Sequence, residues 1–282
     1  MQGSDTLSGL VELTRPANAV AAGVLAVVGG VVALDAPSTA DGLRIVAASA
    51  TTGLATGGGM AINDYFDREI DRTNDPDRPI PRGAVSPRGA LAFSAVLFLA
   101  AIALAATLPL LAIGIAAVNL AALVAYTELF KGLPGVGNAL VSYLVGSAFL
   151  FGGAAVGNAE ASAVLAALAG LSTFAREVIK DVEDIEGDRQ EGLNTLPIAV
   201  GERRSLVVAA VALGVAIAAS PVPYLLGTFD AAYLLVVVPA DAVMCYAAYR
   251  SFADATAGQS LLKYGMFVAT LAFLVGRGAL LV

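Results

Sequence analysis

The chain has 282 residues, 58% of them hydrophobic and only 14% charged, with a mean hydropathy of +0.80 and a formal net charge of −7. That is far too apolar for a soluble domain, and an acidic membrane chain of this kind is not expected to bind nucleic acid. Histidine is absent and Cys245 stands alone, which excludes a His ligand, a Ser-His-Asp triad, a thiolate zinc site and a disulfide framework.

A membrane-crossing helix needs about 20 mostly apolar residues. The apolar runs predict an all-α integral membrane protein, with 1–282 forming a single polytopic domain. Nine spans are expected, at roughly 17–34, 43–62, 89–107, 109–127, 138–156, 161–180, 205–221, 230–249 and 261–281. No basic region precedes the first apolar run, so a cleaved signal peptide is not expected. Pro16 suits a first helical turn. Asn18 then falls just inside the membrane, where a polar side chain needs a partner. Arg68, Arg72, Arg78, Arg82 and Arg88 crowd one loop, and Arg176, Lys180, Arg189, Arg203 and Arg204 another. The intervening loops are nearly free of basic residues, so the positive-inside rule puts the N-terminus and both basic regions on the cytoplasmic side of the cell membrane.

Those two regions also hold most of the acid. Windows 63–88 and 176–204 contain 14 of the 23 Asp and Glu residues. If the second span continues as helix past Ile62, Asn63, Asp67 and Asp71 fall at i, i+4 and i+8, close to one face. In the second window Asp181, Asp184 and Asp188 stand at i, i+3 and i+7, again one face of a continuous helix. Like charges at these spacings repel, so a helix gains nothing from them unless a cation lies between them.

Hard cations such as Mg²⁺ prefer oxygen ligands and are commonly held by one or two carboxylates plus substrate phosphates. Two acidic faces meeting across a cavity would hold such ions around a pyrophosphate. The interleaved bases Arg72, Arg78, Lys131, Lys180 and Arg189 are candidates for the anion. Tyr126 either faces a cationic intermediate or anchors at the membrane interface. Arg15 and Asn18 either contact an acceptor or cap and anchor the first helix. Asp241, after Pro239 inside a span, is either functional or structurally paired. A cation transporter is the reading from another class, but transport sites lie near the bilayer midplane, and these acids stand at helix ends.

The stretch from Asn63 to Arg82, NDYFDREIDRTNDPDRPIPR, resembles the N-D-x-x-D-x-x-x-D motif of the UbiA-type intramembrane prenyltransferase superfamily and its continuation. Asp181, Asp184 and Asp188 resemble that superfamily's second motif, D-x-x-D-x-x-x-D. Tyr126 to Lys131, YTELFK, resembles the Y-[ST]-x-x-x-K segment between them, and Arg15-Pro16-Ala17-Asn18 its first-helix signature. The resemblance implies nine helices around a central cavity and Mg²⁺-dependent prenyl transfer from a polyprenyl diphosphate. By position, Asn63, Asp67, Asp71, Asp181, Asp184 and Asp188 would hold metal, and Arg72, Lys131 and Arg189 would bind diphosphate. Asp184 is the expected proton acceptor, with Asp67 and Lys131 beside it at the reacting centre. The segments EVIKDVEDIEGDRQEGLNTLPIAVG, LPGVGN and FLFGG look most like the archaeal branch. That branch implies transfer of geranylgeranyl from its diphosphate to the glycerol hydroxyl of geranylgeranylglyceryl phosphate. An aromatic acceptor of quinone synthesis is the alternative within the superfamily.

Overall fold

The structure is a computed structural model that describes residues 2–130 and 132–281. Within them the chain is helical throughout, in the order α1 Gln2–Leu13, α2 Pro16–Val32, α3 Thr39–Asn74, α4 Pro87–Ala105, α5 Leu110–Ala125, a π-turn Tyr126–Phe130, α6 Val136–Ala155, α7 Ala159–Glu183, α8 Ile185–Gln190, α9 Leu196–Val200, α10 Glu202–Ala219, α11 Val222–Leu225, α12 Ala231–Ser251 and α13 Ala255–Leu281. Helix starts follow local chemistry. Ser38, Ser86, Asn158 and Asp230 accept from backbone N–H groups of the turns they open, and Pro16 and Pro87 occupy first-turn positions where no N–H is needed.

Each of the nine predicted spans is a helix, but nine crossings are not what length and composition give. Among the described residues seven helices are long and apolar enough, or eight if α1 and α2, bent by 44°, count as one span. The remaining apolar segment, α5, has 16 residues, short of the roughly 20 a crossing needs. α3 errs the other way. Its 36 residues extend about 54 Å, well beyond a hydrocarbon core of roughly 30 Å, and its last turns carry Asn63 to Asp71.

Packing runs around the bundle from α4 to α3, α2, α6, α7 and α10, with α12 packed on α10 and α13, and α13 closing against α7 and α2. Small residues set the closest approaches. At Gly152 the α2 backbone, through the Ala26 carbonyl, occupies the space a Cβ would take. At Gly146 an added Cβ would lie 2.5 Å from the Ala166 carbonyl oxygen of α7. The core between helices includes the aromatic group Phe149, Phe229, Tyr233 and Phe273, while Leu110, Leu225 and Leu235 point outward, as a lipid-facing surface requires. Inside α12, Asp241 accepts a 2.6 Å hydrogen bond from Ser220, and the Tyr233 hydroxyl donates to the Ser220 carbonyl. That network ties α12 to the end of α10, a structural pairing for this intramembrane acid.

Candidate active site

The extension of α3 presents its acids in two sets. Asn63 donates to Asp67 at 2.8 Å across one turn. Asp64 and Asp71 are buried and belong to an ion-pair chain. Asp64 accepts from Arg15 at 2.8 Å and from Arg78 at 3.3 Å. Asp71 accepts from Arg78 at 3.0 Å, as does Asp75. Burial works against the charge on Arg78, but the hydrogen bond to Asp75 and the charges of Asp64 and Asp71 outweigh it, so the guanidinium is held above its ordinary range. Arg15 sits at the bend between α1 and α2 with a left-handed backbone, φ 45°. That conformation costs a non-glycine residue free energy unless neighbours fix it, and the buried carboxylate of Asp64 supplies such a contact.

The second set is built on α6, α7 and α8. Asn138, buried in the first turn of α6, donates to Asp181 at 2.8 Å. The helix expected to run unbroken through Asp188 does not. α7 ends at Glu183, Asp184 takes a non-helical φ and ψ, and Asp188 stands on the separate short helix α8. The break is one residue wide, and the Asp188 N–H still bonds the Asp184 carbonyl at 2.9 Å. Asp188 accepts from buried Thr195 at 3.0 Å. Lys180 pairs with Asp184 on the outer side.

Tyr126 joins the two sets. It opens the π-turn just past α5, and the carboxylates of Glu177, Asp181 and Asp188 from one stretch and of Asp67 from the other all act on its phenol. A narrow polar cleft opens beside it, lined by Tyr126, Gly137, Asn138, Glu177, Asp181 and Thr195. On the outside, an open apolar groove of about 800 Å³ runs along α5 from Ile102 and Ala117 to Leu129 in the same π-turn.

Sequence-predicted residues therefore divide. Asp67, Tyr126, Asp181 and Asp188 come together. Asn63 touches Asp67 and Asp184 follows Asp181 by one turn. Arg78 and Asp71 are bound to each other, and Arg72 pairs with Glu69 at the surface. Asn18 and Arg189 are exposed, and Lys131 lies outside the described residues. Sequence reasoning assigned no site role to Asp64, Asn138 or Thr195. Asp64 is part of the first motif, and Asn138 and Thr195 lie in segments that carried the subfamily likeness, so position alone flagged them.

Among the described residues no three or more Asp or Glu side chains converge tightly enough to hold a metal ion by themselves. The donor set still fits Mg²⁺, which usually takes one or two carboxylates and lets substrate phosphate and water complete its shell. Asp67, Asp181 and Asp188 each accept from an amide or hydroxyl donor, a contact that orients a carboxylate.

The UbiA prenyltransferase family matches residues 23–271. The chain belongs to this family. It is 60% identical over 276 residues to a digeranylgeranylglyceryl phosphate synthase of Natronomonas pharaonis, covering 97% of this chain and 98% of that one. A solved structure from a study of digeranylgeranylglyceryl phosphate synthase in membranes superposes with a TM-score of 0.84 at 33% identity, over 96% of this chain and 98% of the other. A UbiA homologue from Archaeoglobus fulgidus, solved with GPP and Mg²⁺, shares the UbiA fold at a TM-score of 0.75 and 17% identity, over 97% and 99% of the two chains.

Proposed function

We propose that this UbiA-family chain transfers a geranylgeranyl group from geranylgeranyl diphosphate to the glycerol hydroxyl of geranylgeranylglyceryl phosphate, forming digeranylgeranylglyceryl phosphate for archaeal ether lipids, with Mg²⁺ as cofactor. The observation that carries the chemistry is the polar cleft lined by Tyr126, Asn138, Glu177 and Asp181, with Asp67 of the other stretch within electrostatic reach of the phenol. The name and near full-length identity of the Natronomonas relative support the substrates, and the A. fulgidus homologue solved with GPP and Mg²⁺ supports the cofactor.

In this reading Asn63, Asp67, Asp181 and Asp188 would hold metal, with Asp71 one turn beyond Asp67 and Asp184 between Asp181 and Asp188. Mg²⁺ bound there supplies positive charge to the departing diphosphate. Arg72, Lys131 and Arg189 would bind the same anion. The donor's C–O bond breaks, its electron pair leaves with the diphosphate, and the allylic carbon becomes cationic. The glycerol hydroxyl oxygen bonds that carbon, and its proton passes to Asp184. Tyr126 presents a neutral ring to the cation. Arg78, charge-compensated by three aspartates, serves to hold Asp71 in place.

The apolar groove ending at Leu129 supports a prenyl chain lying along α5 with its reactive end at Tyr126. We read 1–282 as one polytopic domain. Nine spans follow if the bent α1–α2 pair and α5, prolonged by the π-turn, both cross. The arginine-rich loops support an acidic end facing the cytoplasm.

The test is prenyl transfer by purified protein from labelled geranylgeranyl diphosphate, with geranylgeranylglyceryl phosphate or hydroxybenzoate as acceptor. Product with the glycerol phosphate supports the proposal. Product with the aromatic acid alone rejects it in favour of quinone-type prenylation.

A further inference from the structure

Arg176 has no role in the site described above, yet it is costly to keep. It lies on membrane-length α7, one residue from the cleft-lining Glu177, and its side chain is only 24% exposed. Nη1 donates to Glu177 at 2.8 Å and Nη2 makes a long, 3.4 Å bond to Gln259 of α13. Its Nε is buried without a hydrogen-bond partner. Buried charged groups in a membrane bundle are normally paired throughout, and a buried donor left over points to a partner still to arrive.

The helix places Arg176 and Lys180 at i and i+4, on one stripe, and Glu177 and Asp181 on the next. Like charges at i, i+4 repel, so α7 gains nothing from the basic pair itself. An anion against Arg176 would change that. The proposed reaction brings together two anionic substrates, a diphosphate and a phosphate monoester. The diphosphate is assigned to the acid and metal face. Its charge repels a second phosphate, which needs cationic donors on a separate face. The other candidate for such a role, Arg15, is held by the buried Asp64, whereas Arg176, beside its pair with Glu177, keeps Nε without a partner.

We propose that Arg176, steadied by Gln259 and flanked by Lys180, binds the phosphate of the prenylated glycerol acceptor. The inference rests on the proposed function and makes the phosphate, rather than the glycerol backbone, the feature by which this acceptor is recognised.

The experiment compares geranylgeranylglyceryl phosphate with its dephosphorylated form, geranylgeranylglycerol, as acceptors for wild type, Arg176→Gln, Arg176→Lys and Gln259→Leu. Losing a charged hydrogen-bonding group predicts that Arg176→Gln raises KM for the phosphorylated acceptor about 10- to 100-fold. KM for geranylgeranyl diphosphate is expected to stay unchanged, as is turnover of the dephosphorylated acceptor. Arg176→Lys keeps the charge but loses the planar fork, and Gln259→Leu keeps the arginine but frees it. Both are expected to give smaller rises confined to the phosphorylated acceptor. Equal losses with both acceptors, or an unchanged KM for the phosphorylated one, would overturn the assignment. No wild-type product with either glycerol acceptor, alongside product with an aromatic acid, would sink the parent reading and this subsite with it.

Discussion

Replacing Gly146 by Ala tests whether close helix packing sets the geometry of the site. An ideal Cβ there would lie 2.5 Å from the Ala166 carbonyl oxygen, whereas real Cβ atoms essentially never come nearer than 3.0 Å. The obstruction is backbone, so α6 and α7 must separate by at least about 0.5 Å. The same two helices carry the 2.8 Å Asn138–Asp181 hydrogen bond. A rigid separation stretches it to about 3.3 Å, past the useful range for an N–H···O bond. Overpacking of this kind costs about 1–3 kcal/mol, or roughly 5 °C in Tm for a chain of this size. Misplacement at the site should lower kcat about tenfold. Gly214→Ala in α10 is the control, since nothing lies within 4 Å of the added atom, and it should be neutral or stabilising by up to about 1 kcal/mol. Thermal unfolding in detergent and single-turnover prenyl transfer read the two effects. Gly146→Ala that melts and turns over like Gly214→Ala would refute the link between packing and site.

Asp64→Asn keeps the shape of the side chain but removes the charge shared by Arg15 and Arg78. Charged hydrogen bonds contribute about 1.5–3 kcal/mol each, and the partly exposed arginines bring the expected loss to about 2 kcal/mol. A lower Tm and faster proteolysis at the α1–α2 bend would show it; unchanged values for both would mean the ion-pair chain is decorative.

Much of this was legible in the sequence, for physical reasons that differ by element. Apolar runs, with Pro16 at the start of the first, located the helices because hydropathy is a local signal. α3 continued past Ile62 as its acid spacing required. The count of nine crossings is not confirmed at α5, where Pro109 and the π-turn at Tyr126 leave only 16 α-helical residues. The face shared by Asp181, Asp184 and Asp188 was only partly right, since spacing on a helix says nothing about a one-residue break. The division of the first stretch was not readable at all. Asp64 and Asp71 are held by arginines 49 and 7 residues away, and no local pattern encodes such partners. Asn138 and Thr195 escaped for the same reason, as each acts on an aspartate from another helix.

The most direct measurement is Mg²⁺-dependent prenyl transfer to geranylgeranylglyceryl phosphate by wild type, Asp67→Ala and Asp181→Ala, which remove one carboxylate from each stretch. If the stretches form one site, product requires Mg²⁺ and falls at least about 100-fold in both variants. Full turnover in either variant, or in EDTA, would contradict a single metal-assisted site shared by the two acidic stretches.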